Sequence, residues 1–388
     1  MANLEDYLDW RADIPFSQDP FNEVDGLLLC EITYTPFDGI VPGPTIKNKI
    51  TIEEACEALF NKYSEEQLRA RKATTVDAPF LLKKMIGSKR FGGTRLCGFV
   101  NEIDPENQSQ FSVCTYYLND SSIFVCFKGT DDSLVGWKED FNMCFSKGTA
   151  GQLKARDYLN ENFANTMLPL RIGGHSKGGN FAVYSSTFAL PHIKDSILNI
   201  YSYDGPGFIK EIIDTAEYKS ILDRINGFLP KESVFGMMMF NSFKSKVVVS
   251  DAKGVNQHNP LSWQIERNVI KDGYELDSYA LLVDDIMKNW AKDFNYESRA
   301  LFGDILYSAL SQAGATKFSQ VTSSKIKSVA TITKEIQGLP PEQQKIMYDI
   351  IAKLLSTSGG SLRDSVISKV TDILNFRKNE KKLEFERK

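Results

Sequence analysis

Apolar positions change their spacing several times along this chain, and each change marks an element. Thr51-Ile52-Glu53-Glu54 forms a capping box, and apolar residues follow at Ala55, Ala58 and Leu59, so a helix is expected to begin there. Strands are expected at Thr94 to Asn101 and Phe111 to Leu118. A third, Ser122 to Lys128, carries the near-continuous run Ile-Phe-Val-Cys-Phe. That run suits a strand covered on both faces of a largely parallel sheet. Ala150 to Phe163 is compatible with a helix. Next come a short strand at Leu168 to Gly173, a tight Gly-rich turn and an apolar helix from Gly178 to Phe188. Another strand, Ser196 to Tyr203, ends at Asp204-Gly205-Pro206-Gly207, and one at Lys246 to Ser250 leads into a loop holding His258. Strands alternating with helices predict a doubly wound α/β domain with a mostly parallel sheet.

The flanks read differently. Pro15, Pro20, Pro36, Pro42 and Pro44 interrupt an aromatic, acidic beginning. From about Leu276 the pattern is helical: Leu281 to Phe294, Arg299 to Ala313, Ser324 to Ile336 and Pro341 to Leu355. Breaks are expected at Gly314, at Gly338-Leu339-Pro340-Pro341 and over Ser356 to Ser361, and a charged, frayed end over Phe376 to Lys388. At 388 residues the chain exceeds one typical domain. The expected division is a catalytic domain over 1–310, with 1–90 as an extension packed on it, and a helical region over 311–388.

Composition narrows the class. The 42% hydrophobic and 25% charged residues suit a soluble globular protein. A net charge of -4 gives no reason to expect nucleic acid. Apolar runs such as Leu27 to Cys30 and Ser233 to Phe240 are far too short to span a bilayer, and Met1 to Trp10 is polar and acidic, unlike a signal peptide. None of the 6 Cys lies in a C-x-x-C pair, so free, reduced, mostly buried thiols and a cytoplasmic location are expected. Cys and His never cluster at ligand spacing, and neither a metal nor a cofactor is expected.

The candidate chemistry lies in Gly174-His175-Ser176-Lys177-Gly178, a G-x-S-x-G motif with a strand before it and an apolar helix after it. A serine nucleophile at a sharp strand-to-helix turn needs small neighbours, and the helix start then offers the Lys177 amide to a developing oxyanion. A glycine turn with an incidental serine is the alternative. The chain has 3 His. His175 is expected to support the elbow by packing, and His192 to lie at the surface. His258, after a later strand, stands where the order Ser, acid, His puts the base. Asp204 ends the strand after the elbow helix and is the first choice of acid, although it could instead close its own turn. Asp251 and Glu232 remain rivals. Thr130, in Lys128-Gly129-Thr130-Asp131-Asp132, is expected to supply the second oxyanion amide, a simple polar turn closed by Asp131 being the alternative.

Several segments together resemble the Mbeg-like family, bacterial α/β-hydrolase-like proteins distantly similar to class 3 triacylglycerol lipases. They are Phe127-Lys128-Gly129-Thr130-Asp131-Asp132, Gly136-Trp137-Lys138-Glu139-Asp140-Phe141-Asn142-Met143 and Gly173-Gly174-His175-Ser176-Lys177-Gly178-Gly179-Asn180. Tyr7-Leu8-Asp9-Trp10-Arg11, Pro20-Phe21-Asn22-Glu23-Val24-Asp25 and Gln257-His258-Asn259-Pro260-Leu261-Ser262-Trp263 match as well. The resemblance spans roughly residues 1 to 310. It implies a lipase-like fold with Ser176 as nucleophile, His258 as base and Thr130 in the oxyanion segment, Lys128 standing where lipases usually carry Arg. Class 3 lipases place the acid in an Asp-x-x-Pro segment. The corresponding stretch here, Leu229-Pro230-Lys231-Glu232-Ser233-Val234-Phe235-Gly236, has no Asp. That turns the choice toward Asp204 and leaves the acid open.

Lys177 either favours an anionic substrate or snorkels to solvent, the second being expected. Trp137 to Met143 has no catalytic reading of its own and is expected to be elbow-facing structure, with ordering of the oxyanion loop as a further role. Met237-Met238-Met239-Phe240 is expected to pack in the core, with an acyl-binding wall as the alternative. The functional expectation is a serine hydrolase that cleaves a small-molecule or lipid ester through an acyl-enzyme. A peptidase or acyltransferase with the same residues is one alternative. Another is a non-catalytic binding protein whose C-terminal helices recruit a protein partner. Glu is interleaved with the Lys and Arg of the last dozen residues, which favours a solvated helix end over a membrane contact.

Overall fold

The computed structural model describes residues 1–71, 75–312 and 334–348. Met1–Asp284 form one compact unit, and the described residues from Asp285 onward belong to a second.

In the first unit, eight strands form one sheet in chain order: β1 (Ile50–Thr51), β2 (Arg95–Asp104), β3 (Ser109–Tyr117), β4 (Ile123–Phe127), β5 (Leu170–His175), β6 (Ile197–Tyr203), β7 (Ile225–Pro230) and β8 (Ser245–Val248). Neighbours are antiparallel from β1 to β4 and parallel from β4 to β8. The apolar run is thus β4, joined to an antiparallel strand on one side and a parallel one on the other. All its residues are buried.

Helices α1 (Leu4–Arg11), α2 (Glu23–Ile32), α3 (Ile52–Lys62), α4 (Glu65–Arg69) and α5 (Ala78–Met85) precede β2. Then come α6 (Leu134–Met143), α7 (Ala150–Phe163), α8 (Lys177–Thr187) and α9 (Pro191–Ser196). Successive side chains of β4 point to opposite faces. Phe127 meets Phe181 of α8 and Tyr158 of α7, with ring centroids 6.4 Å apart in both cases. Phe124, on the other face, packs with Tyr201 and Phe21 beside α2.

The sheet is α/β and mostly parallel, as expected, but it is not doubly wound. Its parallel strands follow one another in a single direction with no reversal of order. Right-handed crossovers in such a series put their helices on one face. The opposite face is covered instead by α2, from the start of the chain, which packs against β4, β5 and β6.

The N-terminal motifs explain how α2 is held there. Asn22 caps α2, and Asp25 returns the bond to the Asn22 amide. Asp25 also receives Arg90 Nε at 2.7 Å and the Tyr7 hydroxyl at 2.9 Å, all three side chains being buried. Further Arg90 nitrogens donate to the carbonyls of Ile14, Asp19 and Pro20. The ion pair is thus fully hydrogen-bonded, the condition under which a buried charge is tolerated.

Sequence reading missed α2, α6 and β7. Nine of the ten α2 residues are buried, so no polar stripe reveals a helical period. β7 is short and carries Gly227 and Pro230, both poor strand formers. The capping box of α3 and the bounds of α7 are as expected. All 6 Cys are free and buried.

In the second unit the helix Tyr296–Gln312 starts three residues before its expected first residue, Arg299, as does Ser278–Asp293, which runs into this unit, before Leu281. Residues 334–338 and 341–348 are helical, and Ile305, Ile336 and Met347 pack together. The expected elements over 324–333 and 349–355, the break at Gly314 and the tail over 376–388 lie outside the described residues. Among the described residues, no helix is long and apolar enough to cross a membrane.

Candidate active site

Ser176 occupies the turn between β5 and α8 with φ 58° and ψ -131°. A non-glycine residue in this region is strained, and the surrounding structure must hold it there. The Ser176 amide donates to Tyr203 O at 2.9 Å, and the Gly179 amide donates to Ser176 O at 2.9 Å. Two glycines permit the close packing. A Cβ on Gly178 would stand 2.0 Å from Phe127 O, and one on Gly129 would stand 2.6 Å from His175 O and 3.0 Å from Ser176 Cβ. The Lys128-Gly129-Thr130 segment therefore passes directly against Ser176.

Both expected oxyanion donors lie at this point. Thr130 follows Gly129, and Lys177 is the first residue of α8, where backbone amides have no intrahelical acceptor. Among the described residues, neither the Thr130 amide nor the Lys177 amide has a hydrogen-bond partner. The Thr130 hydroxyl is engaged: it donates to Asp140 Oδ2 at 2.6 Å. Asp131 does close a turn, accepting from the Ser133 amide at 2.9 Å, at the start of α6.

His258 and Asp204 meet across the ends of the strands. His258 Nδ1 lies 2.6 Å from Asp204 Oδ2. Asp204 Oδ1 accepts from Ser233 Oγ at 2.5 Å and from the Gly236 amide at 3.1 Å. The Asp204 backbone has φ 47°, and its amide donates to Phe228 O at 2.8 Å. Its side-chain partners, Ser233, Gly236 and His258, all lie outside its own Gly205-Pro206-Gly207 turn. With the carboxylate as acceptor, Nδ1 of the neutral ring carries the proton and Nε2 keeps its lone pair. The rivals are occupied elsewhere: Asp251 pairs with the N-terminal ammonium at 3.1 Å, and Glu232 accepts from Gly254 and Gln257. The His258 ring lies between Phe235 and His175, centroids 4.1 and 4.4 Å away. Among the described residues, no hydrogen bond joins Ser176 Oγ to His258. His192 is exposed on α9.

The Lys177 side chain corrects the expectation that it reaches solvent. It is buried, and Nζ donates to Glu139 Oε2 at 3.2 Å and to Gln110 O at 3.0 Å. Glu139 also accepts from the amides of Gln110 and Gly151, at 2.8 and 2.7 Å. The cation is therefore neutralised within the protein and is not presented to a substrate. Burial raises the neighbouring Asp140 carboxyl to about 6, against the lowering effects of Lys177 and Thr130. Consecutive residues of α6, Glu139 and Asp140, thus hold the start of α8 and Thr130. Met239 is buried, whereas Met237 and Met238 are half-buried.

Sequence reading missed Tyr34, Phe235 and the separate roles of Glu139 and Asp140. Phe235 carries the Trp137 ring 6.3 Å away on its other contact, giving an apolar wall beside His258. No local motif marks Tyr34.

No curated protein matches the chain. A family model described as Mbeg1-like matches residues 85–308, a span that holds Thr130, Asp140, Ser176, Asp204 and His258. The chain therefore belongs to the Mbeg1-like family.

Proposed function

We propose that this protein is a serine hydrolase of α/β-hydrolase, lipase-like build, cleaving carboxylic esters, acyl lipids among them. Ser176 Oγ attacks the ester carbonyl and His258 Nε2 takes its proton. Asp204 holds the ring in the required tautomer and stabilises the imidazolium. The amides of Thr130 and Lys177 receive the oxyanion. The imidazolium returns its proton to the departing alkoxide, leaving an acyl-Ser176 ester. Water, deprotonated by His258, then releases the carboxylic acid and restores Ser176. The apolar wall of Phe235 and Trp137 suits an acyl group.

The observation that carries this reading is the strained Ser176, flanked by two backbone amides with no partner among the described residues, in the same unit as an imidazole held by a buried carboxylate. In enzymes without bound substrate, catalytic hydrogen bonds are often long and tighten in the complex. A second reading, a hydrolase-like binding protein, draws on the missing bond between Ser176 and His258.

One experiment separates the two: fluorophosphonate labelling with peptide mapping on wild type, Ser176→Ala and His258→Ala. Labelling at Ser176 that collapses without His258 is the expected result, and a panel of acyl esters, peptides and acyl acceptors then sorts the chemistry. A wild-type protein left unlabelled at Ser176 would sink the enzyme reading.

A further inference from the structure

A chain of three hydrogen bonds runs behind the site and touches none of its reacting atoms. The Gly129 amide donates to Tyr34 Oη at 3.1 Å. Tyr34 Oη lies 3.1 Å from His175 Nδ1, and His175 Nε2 lies 2.8 Å from the carbonyl oxygen of His258. The two end groups fix the outer bonds, and a neutral His175 ring fixes the middle one. A carbonyl only accepts, so His175 Nε2 carries a proton. At the other end an amide only donates, so Tyr34 Oη receives one bond and has its own proton to give. His175 Nδ1 takes that proton as the acceptor of a neutral ring. Burial, aided by the nearby His258, holds the His175 pKa well below its ordinary value, in keeping with that state.

The two ends of this relay matter. Gly129, which lies directly against Ser176, precedes Thr130, and the His258 carbonyl belongs to the residue whose ring meets Asp204. Between them stands His175, the residue immediately before Ser176. We infer that Tyr34 and His175 are positioning residues that lock the oxyanion segment and the base loop to the nucleophile elbow through one shared, directional hydrogen-bond chain. This rests on the reading of Ser176 and His258 as nucleophile and base. Tyr34 lies outside the span of the family match and comes from the segment following α2, so the N-terminal region contributes to the site as well as covering the sheet.

Tyr34→Phe removes one hydroxyl and leaves the Gly129 amide and His175 Nδ1 unpaired. The expected result is a fall of about tenfold in both the fluorophosphonate labelling rate and kcat, with KM changed by less than about twofold, the signature of an interaction that serves the transition state. A second pair guards against a Tyr34→Phe protein that does not fold. In His175→Gln the carboxamide reaches far enough to donate to the His258 carbonyl, whereas in His175→Asn it does not, so Gln is expected to keep the higher rate. Equal labelling rates for folded wild type and Tyr34→Phe, or His175→Asn matching His175→Gln, would overturn the relay while leaving the hydrolase reading intact. Absence of Ser176 labelling in wild type would remove both.

Discussion

His258 and Asp204 stand 54 residues apart in sequence and meet at 2.6 Å, Nδ1 on Oδ2. The carboxylate is held by groups other than the imidazole: by Ser233, by Gly236 and by a backbone conformation that few non-glycine residues adopt. The pair therefore sets one ring orientation and one tautomer. Asp204→Asn would present an amide where an acceptor is required. The Ser176 labelling rate is expected to fall on the order of 10²–10⁴-fold with the circular dichroism spectrum unchanged. A loss smaller than about tenfold would take Asp204 out of the mechanism.

Lys177 tests the buried network below the elbow. Lys177→Met leaves Glu139 uncompensated in the interior, and a loss of about 3–5 kcal/mol in urea unfolding is expected. Adding Glu139→Gln removes the stranded charge and should return part of that loss. Additive losses in the double variant would mean that the two side chains are not coupled.

Gly178 tests the geometry of the turn. A methyl group there meets the backbone carbonyl of Phe127 at 2.0 Å, where no side-chain rotation gives relief. Gly178→Ala is expected to cost upwards of about 3 kcal/mol or to abolish folding. A thermal midpoint within a few degrees of wild type would show that β4 and α8 can separate freely.

Asp140 gives a pH signature. Its folded pKa of about 6 lies above the ordinary carboxyl value of 3.8. Below both values the group is protonated in either state and contributes nothing to the balance. As pH rises from about 4 to 6 the unfolded chain ionises first, so stability falls, and above about 6 the deficit is constant. Asp140→Asn lacks this dependence. Its stability advantage over wild type is expected to grow between pH 4 and 6 and then level off, read from thermal melts across that range. Parallel curves would place Asp140 in a better-solvated setting than its burial implies.

The strand-turn-helix around Ser176 was legible because its geometry is compressed into five adjacent residues. Elimination pointed to His258 as the candidate base, since the chain holds only 3 His. The acid was not legible in the same way. Asp204, Asp251 and Glu232 all lie near strand ends, and only the folded loop around Ser233 and Gly236 distinguishes them. Lys177 was misread because sequence places it beside the nucleophile but cannot show that Glu139 waits beneath it. Tyr34 left no trace at all. Its partners Gly129 and His175 are 95 and 141 residues away, and no spacing rule reaches that far. Helix α2 was hidden for the opposite reason, since a helix buried all round offers no contrast between faces.

That helix has a consequence for the order of assembly. Its residues Leu27, Leu28 and Leu29 leave the ribosome well before Tyr203, Phe228 and Trp263, which complete the surface that shelters them. The Tyr203 hydroxyl, which donates to Glu23 O, is made 180 residues later. Until β6 emerges, this apolar segment is only partly covered, by α5, β4 and β5. Such late, distant closure slows folding and leaves the nascent chain dependent on protection from aggregation. Once closed, the same contact ties the first part of the chain to the last strands of the sheet. The unit is therefore expected to unfold as a whole, without shedding its N-terminal helices first.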